Sequence, residues 1–264
     1  MSDAHCAEID GLTLTELASR VTVTPLAPPS IAPHYQDPMT TITLQALIFD
    51  LDGVLTDTAE LHLRTWQRLA AAEGIPFDHS LGDRLRSIPR RASLEIILAG
   101  RTRSEAQMAA LLARKNEHFL ALLNQMTPAD LLPGVLPLLD EARACGLRTA
   151  VASSSQNAHA VLERLGIRSR FDVICDGHSV PNAKPAPDLF LLAAARLAVP
   201  PRACLVFEDA AAGIFAAQAA GMRAVGVGPA DRVAAADLVV PSLAGVRLAD
   251  LVRFMTGRQG PTTG

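Results

Sequence analysis

Phe49-Asp50-Leu51-Asp52-Gly53-Val54-Leu55-Thr56-Asp57-Thr58 is the stretch on which the reading of the chain turns. The apolar run Leu44 to Phe49, with Ala46, Leu47 and Ile48 inside it, predicts a buried strand that ends at Asp50. Asp50 and Asp52 are two apart, so an extended backbone turns both carboxylates to one side of the strand end. Gly53 then lets the chain turn away sharply. Two carboxylates that close repel by about 4 kcal/mol at roughly 4 Å and an effective dielectric of about 20. Such a pair needs a cation, a shared proton or a strong set of donors. Asp-x-Asp-Gly alone is also ordinary turn chemistry. Its place at the end of an apolar strand gives it weight.

The chain has 264 residues, room for one large domain or two modest ones. Apolar residues make up 49% and aromatics only 4%, so the core is built mostly of Leu, Ala and Val, which suits helices packed closely on a sheet. The net charge of −3 and the lack of a long basic run argue against nucleic acid or an anionic membrane as partner. Cys6, Cys145, Cys175 and Cys204 form no CxxC pair, and the last three are expected to be small core residues in a reducing compartment. No stretch approaches the roughly 18 uninterrupted apolar residues of a membrane span. The N-terminus lacks the basic segment and apolar core of a secretory signal. The expected location is the cytoplasm, and the expected state a monomer.

Residues 1–42, punctuated by Pro25, Pro28, Pro29, Pro33 and Pro38, read as a poorly ordered extension with one short amphipathic helix, Leu12 to Val21. Met39, just ahead of the first strand, is read as a candidate start of translation. Asp57-Thr58-Ala59-Glu60 resembles a capping box, opening a helix that carries Leu61, Trp66, Leu69 and Ala70 and stops at Gly74. From residue 80 to 126 all signals are helical, so residues 57–129 are expected to form an inserted cap. After Pro128 to Gly134 a βα alternation begins. The helices are Val135–Ala144, Asn157–Leu165, one starting on Pro187, Ala210–Ala220 and Leu248–Met255. The strands between them are Arg148–Ala152, Phe171–Cys175, Ala203–Phe207, Arg223–Val227 and Asp237–Val240. This order predicts an α/β fold with a doubly wound parallel sheet, made from residues 43–56 and 130–264.

In such a sheet ligands bind beyond the carboxyl ends of the strands. Asp50, Asp52, Ser153, Ser154, Lys184, Glu208 and Asp209 all fall there. Asp50 with Glu208 and Asp209 makes an oxygen-rich set suited to Mg²⁺. Ser153 and Ser154 offer hydroxyl and amide donors to phosphate oxygens, and Lys184 adds a point charge in a loop stiffened by Pro185 and Pro187. Metal, donors, a lysine and a spare carboxylate suit phosphoryl transfer, where catalysis is mostly positioning and charge neutralisation. One aspartate can serve as nucleophile and the other as general acid and base. Each residue also has a plain structural reading: helix caps for Ser153, Ser154, Glu208 and Asp209, a solvated charge for Lys184. Complementary groups from four strand ends are hard to explain that way together.

Asp50 to Leu55, Ser153-Ser154, Lys184-Pro185 and Glu208-Asp209 resemble the four motifs of the haloacid dehalogenase superfamily, over about 220 residues from Leu44 onward. The chain is similar in particular to the β-phosphoglucomutase branch, through Asp57 to His62, Leu85 to Arg90, Arg114-Lys115-Asn116, Pro128 to Asp130, Lys184 to Asp188 and Gly226 to Gly228. The resemblance implies Asp50 as the phosphoryl-carrying nucleophile and Asp52 as general acid/base. It implies Mg²⁺ among Asp50, Glu208, Asp209 and the Asp52 carbonyl, with Ser153, Ser154 and Lys184 on the transferring phosphate. Thr58 is placed at a hinge and His62 near Asp52. Arg86 and Arg90 are cationic cap residues, with Arg90 on the distal phosphate, and Lys115 and Asn157 are peripheral substrate contacts. The implied reaction converts β-glucose 1-phosphate to glucose 6-phosphate, with β-glucose 1,6-bisphosphate as priming donor. Arg86 and Ser87 depart from the lysine and glycine usual in that branch, and Ala210 and Ala211 replace polar residues. Three functions compete: a mutase, a sugar-phosphate phosphatase of the same fold, and a catalytically silent scaffold. The last is disfavoured because every expected catalytic position is present.

Overall fold

The computed structural model describes residues 43–78, 81, 85 and 89–257. The expected N-terminal extension, its short helix, Met39 and Arg86 with Ser87 lie outside the described residues. Six strands form one wholly parallel sheet: β1 Ala46–Phe49, β2 Arg148–Ala152, β3 Val173–Cys175, β4 Cys204–Glu208, β5 Arg223–Val227 and β6 Leu238–Val240. Their order is β3-β2-β1-β4-β5-β6, the doubly wound arrangement that the alternation of elements predicts. β1 lies at the centre, and its four residues are all buried because both faces of a parallel sheet are covered.

The period of two in the strands sorts their side chains onto two helical layers. Leu47, Phe49, Val151, Leu205, Phe207 and Val225 meet α4 (Val135–Ala144), α5 (Ala158–Arg164) and α8 (Leu248–Thr256) on one face. Ala46, Ile48, Ala150, Ala152, Val206 and Ala224 meet α6 (Asp188–Leu197) and α7 (Ala211–Ala219) on the other. The smaller side chains on that second face let the alanine-rich α7 approach closely. Phe49 stacks on Phe207 with ring centroids 4.7 Å apart, locking the two strands whose ends carry Asp50 and Glu208.

Between β1 and β2 the described chain is helical: α1 (Ala59–Ala72), α2 (Arg90–Leu98) and α3 (Glu105–Leu123). Trp66, Leu69, Leu94, Ile97, Met108 and Leu111 form a small core of their own. Phe119 and Leu123, at the far end of α3, join the large core of the sheet instead. One helix thus belongs to both cores. No helix among the described residues is long and apolar enough to cross a membrane.

Several expectations are corrected. Asp57 to Glu60 is no capping box: Asp57 Oδ1 accepts from the Ala59 amide at 3.0 Å, and the Thr58 hydroxyl is drawn away to Asp52. A capping box does occur at Ser104 and Gln107, opening α3. Pro187 caps α6 from outside instead of filling its first turn. Cys175 and Cys204 are buried as expected, but Cys145 is exposed, because it lies just past the end of α4 where the chain leaves the core. The ends of β1, β3, β4, β6, α5, α7 and α8 shift by one or two residues, the usual spread at element ends.

The two cores predict a clear contrast. Leu138→Ala, at a fully buried position on α4, should cost about 2–5 kcal/mol in urea unfolding. Phe215→Ala, on the exposed side of α7, should change stability by no more than about 0.5 kcal/mol.

Candidate active site

Sheet register brings the acidic and cationic groups together. Phe49 lies level with Val151 on one side and Phe207 on the other, so the residues just beyond these strands leave the sheet side by side. The ladder extends past β1 through the Asp50 amide, which donates to Phe207 O at 2.9 Å. The Ser153 amide does the same to Cys175 O at 3.0 Å. Gly53 turns the chain with φ at +81°, and a Cβ there would fall inside the Asp209 carboxylate. Only glycine allows the loop after β1 to pass that close.

Oxygens of Asp50, Glu208 and Asp209 lie within 4.8 Å of one another, and all three residues are buried. The Lys184 ammonium, its side chain 2% exposed, donates to Asp50 Oδ1 at 2.6 Å and to Ala152 O at 3.0 Å, and pairs with Glu208. Burial works against the charge of Lys184, but Asp50 and Glu208 outweigh it and hold the ammonium protonated beyond its usual range. Burial pushes the Glu208 carboxyl upward despite Lys184, and Asp50 adds to the push. Three buried carboxylates with one ammonium among them retain excess negative charge. Hard oxygen donors at this spacing fit a small divalent cation such as Mg²⁺.

Asp52 lies in the turn after β1, bridged to Thr56. Loss of solvent pushes its carboxyl up to about 8, with Asp50 and Asp209 adding repulsion. The Thr58 hydroxyl hydrogen-bonds it. Asp52 and Asp209 line a cavity of about 390 Å³, walled by α1, α2 and α3 on one side and the strand-end loops on the other. His62, Lys115 and Arg90 face into it from the helices. Lys115 Nζ is 2.7 Å from His62 Nδ1, and the His62 ring stacks on Phe119 at 4.3 Å. Burial, then Lys115 and Arg90, keep His62 well below its ordinary value, so its ring is neutral. Burial and Arg90 bring Lys115 down to about 7, against the pull of Asp52. A neutral ring that accepts at Nδ1 carries its hydrogen on Nε2.

Not every expected residue faces the cavity. Ser154 does, but Ser153 is fully buried, with Oγ accepting from the Ser155 amide at 3.0 Å. Asn157 sits at the N-cap of α5 and donates through Nδ2 to Asn116 Oδ1 at 2.9 Å, tying the helical segment to the sheet domain. Sequence reading missed Ser155, Gln156 and Asp176 as cavity residues. The rule that placed Ser153 and Ser154 beyond β2 extends to the first two and, beyond β3, to Asp176. Trp66, part of the small helical core, also walls the cavity, with Lys115 Nζ 5.0 Å from its ring centroid.

The profile of haloacid dehalogenase-like hydrolases matches residues 44–221. The chain belongs to this family. Among haloacid dehalogenase-like relatives, it is 45% identical to a β-phosphoglucomutase of Bacillus subtilis, over 75% of this chain and 89% of that protein. It is 37% identical to a fructose-1-phosphate phosphatase of Escherichia coli, over 69% of this chain and 95% of that one. The crystal structure of a β-phosphoglucomutase from Clostridium difficile superposes with a TM-score of 0.78 at 37% identity, covering 81% of this chain and 98% of that chain. These relatives include both a sugar-phosphate mutase and a sugar-phosphate phosphatase.

Lys115 offers a test independent of turnover. Between about pH 7 and 10.5 the unfolded chain holds a proton on this lysine that the folded chain does not. Stability should therefore rise across that window, while the cost of burying the ammonium is fully present below it. Lys115→Met should remove this component and flatten the pH dependence of the unfolding free energy, measured by urea titration at several pH values.

Proposed function

We propose that this chain is a Mg²⁺-dependent β-phosphoglucomutase, acting as a cytoplasmic monomer on a small sugar phosphate. The observation that carries the reading is the placement of Asp52, held by Thr58, in one cavity with His62, Lys115 and Arg90. The 45% identity to a β-phosphoglucomutase supports it.

Asp50 is the nucleophile, charged by β-glucose 1,6-bisphosphate as priming donor. The phosphoryl group on Asp50 passes to the C6 hydroxyl of β-glucose 1-phosphate, and Asp52 takes the hydroxyl proton. The bisphosphate turns round in the cavity. Asp50 then attacks phosphorus at C1, Asp52 returns its proton to the C1 oxygen, and glucose 6-phosphate leaves a phosphorylated Asp50 behind. Mg²⁺ among Asp50, Glu208, Asp209 and the Asp52 carbonyl supplies charge neutralisation for the phosphoryl oxygens. Lys184 takes up negative charge beside the nucleophile, and Ser154 offers donors from the loop after β2, with Ser153 buried behind it. Arg90, with Arg86, grips the distal phosphate, while Lys115 and Asn157 keep the helical lid, residues 57–129, in register with the core of residues 43–56 and 130–264. Lid closure keeps water from Asp50. Thr58 couples that closure to Asp52, because its hydroxyl stands at the start of α1 and holds the acid in the loop after β1.

The phosphatase reading rests on the 37% identity to a fructose-1-phosphate phosphatase. There water, not a sugar hydroxyl, takes the group from Asp50. One assay separates them: β-glucose 1-phosphate, Mg²⁺ and a trace of bisphosphate, with glucose 6-phosphate and free phosphate followed together. Glucose 6-phosphate should dominate, and free phosphate alone overturns the mutase. Asp50→Asn should abolish both turnover and phosphate labelling of the protein, and chelation of Mg²⁺ should do the same reversibly. Arg90→Ala should cost about a hundredfold or more with sugar phosphates and far less with acetyl phosphate. Equal losses would deny it the distal phosphate.

A further inference from the structure

Arg232, in the loop between β5 and β6, does something the proposed chemistry does not use. Its guanidinium Nη2 lies 3.6 Å from Asp209 Oδ2, on a side chain one-third exposed. Asp209 is one of the three carboxylates at the cation site. Lys184 already occupies Asp50 and Glu208, so the described structure sets Arg232 against the third carboxylate. The placement is built in: at Gly228, with φ +124°, a Cβ would stand 2.7 Å from Nη2, so the loop backbone leaves room for the guanidinium. Yet the group is lightly held. Its Nε is buried without a hydrogen-bond partner among the described residues, and its contact with Asp209 exceeds ordinary hydrogen-bond length.

We propose that Arg232 competes with the divalent cation: its guanidinium balances Asp209 while the cation is absent and gives way, or repels, when the cation binds. This rests on the reading of Asp50, Glu208 and Asp209 as the cation site. The direction comes from Coulomb's law whichever way the side chain responds. If it stays, a single positive charge repels a double one nearby. If it swings to solvent, the pair with Asp209 is given up. Both weaken cation binding. A merely structural arginine has the opposite signature, since its loss loosens the loop and the carboxylate with it.

Calorimetric titration of Mg²⁺ into the full chain at fixed ionic strength tests this with Arg232→Gln, Arg232→Lys and Asp209→Asn. Arg232→Gln should bind Mg²⁺ about tenfold tighter than the wild type or more, about 1.4 kcal/mol. Arg232→Lys, which keeps the charge, should stay near the wild type. Saturating Mg²⁺ should also raise the thermal midpoint more in Arg232→Gln than in the wild type. Unchanged or weaker binding in Arg232→Gln overturns the proposal, and so does equal tightening in Arg232→Lys. A wild type and Asp209→Asn that both fail to bind Mg²⁺ overturn the cation site itself, and the competitor with it. That failure is distinct from an Arg232 effect that is absent while the wild type binds.

Discussion

A single buried ammonium organises the centre of this molecule. Lys184 reaches into the gap between the ends of β1 and β4 and touches Asp50, Glu208 and the last carbonyl of β2. Without it, carboxylates from two neighbouring strands would share a site shielded from water, a placement costing several kcal/mol per uncompensated charge. The sheet tolerates this concentration of acid because the lysine arrives from a separate loop and lies over the Phe190 ring, 4.8 Å from its centroid. The charge that Lys184 leaves unbalanced is what gives the site its capacity for a cation. Stability and chemistry therefore draw on the same three or four groups, with the strands holding them in place.

The helical segment is joined to this centre through polar contacts, and through a shared helix. Thr58 binds Asp52 as the chain enters α1, Lys115 on α3 meets His62 on α1, and Asn116 on α3 meets Asn157 at the start of α5. The C-terminal half of α3 is anchored in the sheet's apolar core, while its N-terminal half packs in the helical one. Lys115 sits near the middle of α3, stripped of solvent and with its charge further disfavoured by Arg90.

Asp50 and Asp52 divide their tasks by environment. Asp50 faces an ammonium, whereas Asp52 faces a hydroxyl and two anionic neighbours, which add to burial in pushing its carboxyl up to about 8. Relatives of the chain include both a β-phosphoglucomutase and a fructose-1-phosphate phosphatase.

Much of this was legible in the sequence because parallel sheets impose strong local signals. Buried strands need continuous apolar runs, and topology puts the residues just beyond them on one edge. Thus Arg148–Ala152 and Arg223–Val227 could be placed to the residue and the first strand to within two, and Asp50, Lys184, Glu208 and Asp209 assigned to a common site. Side-chain choices among competing partners were not legible. Thr58 had a local capping role available and took Asp52 instead, and Ser153 turned inward to its own loop while Ser154 faced the cavity. Arg232 carried no signal at all, since its approach to Asp209 depends on how the β5–β6 loop crosses the ends of strands far away in sequence. The chain's apolar pattern and strand-end residues determined the fold and where its chemistry lies. Only the tertiary structure decided which polar group meets which, because those pairings hang on distances of an ångström set by loops that no local pattern specifies.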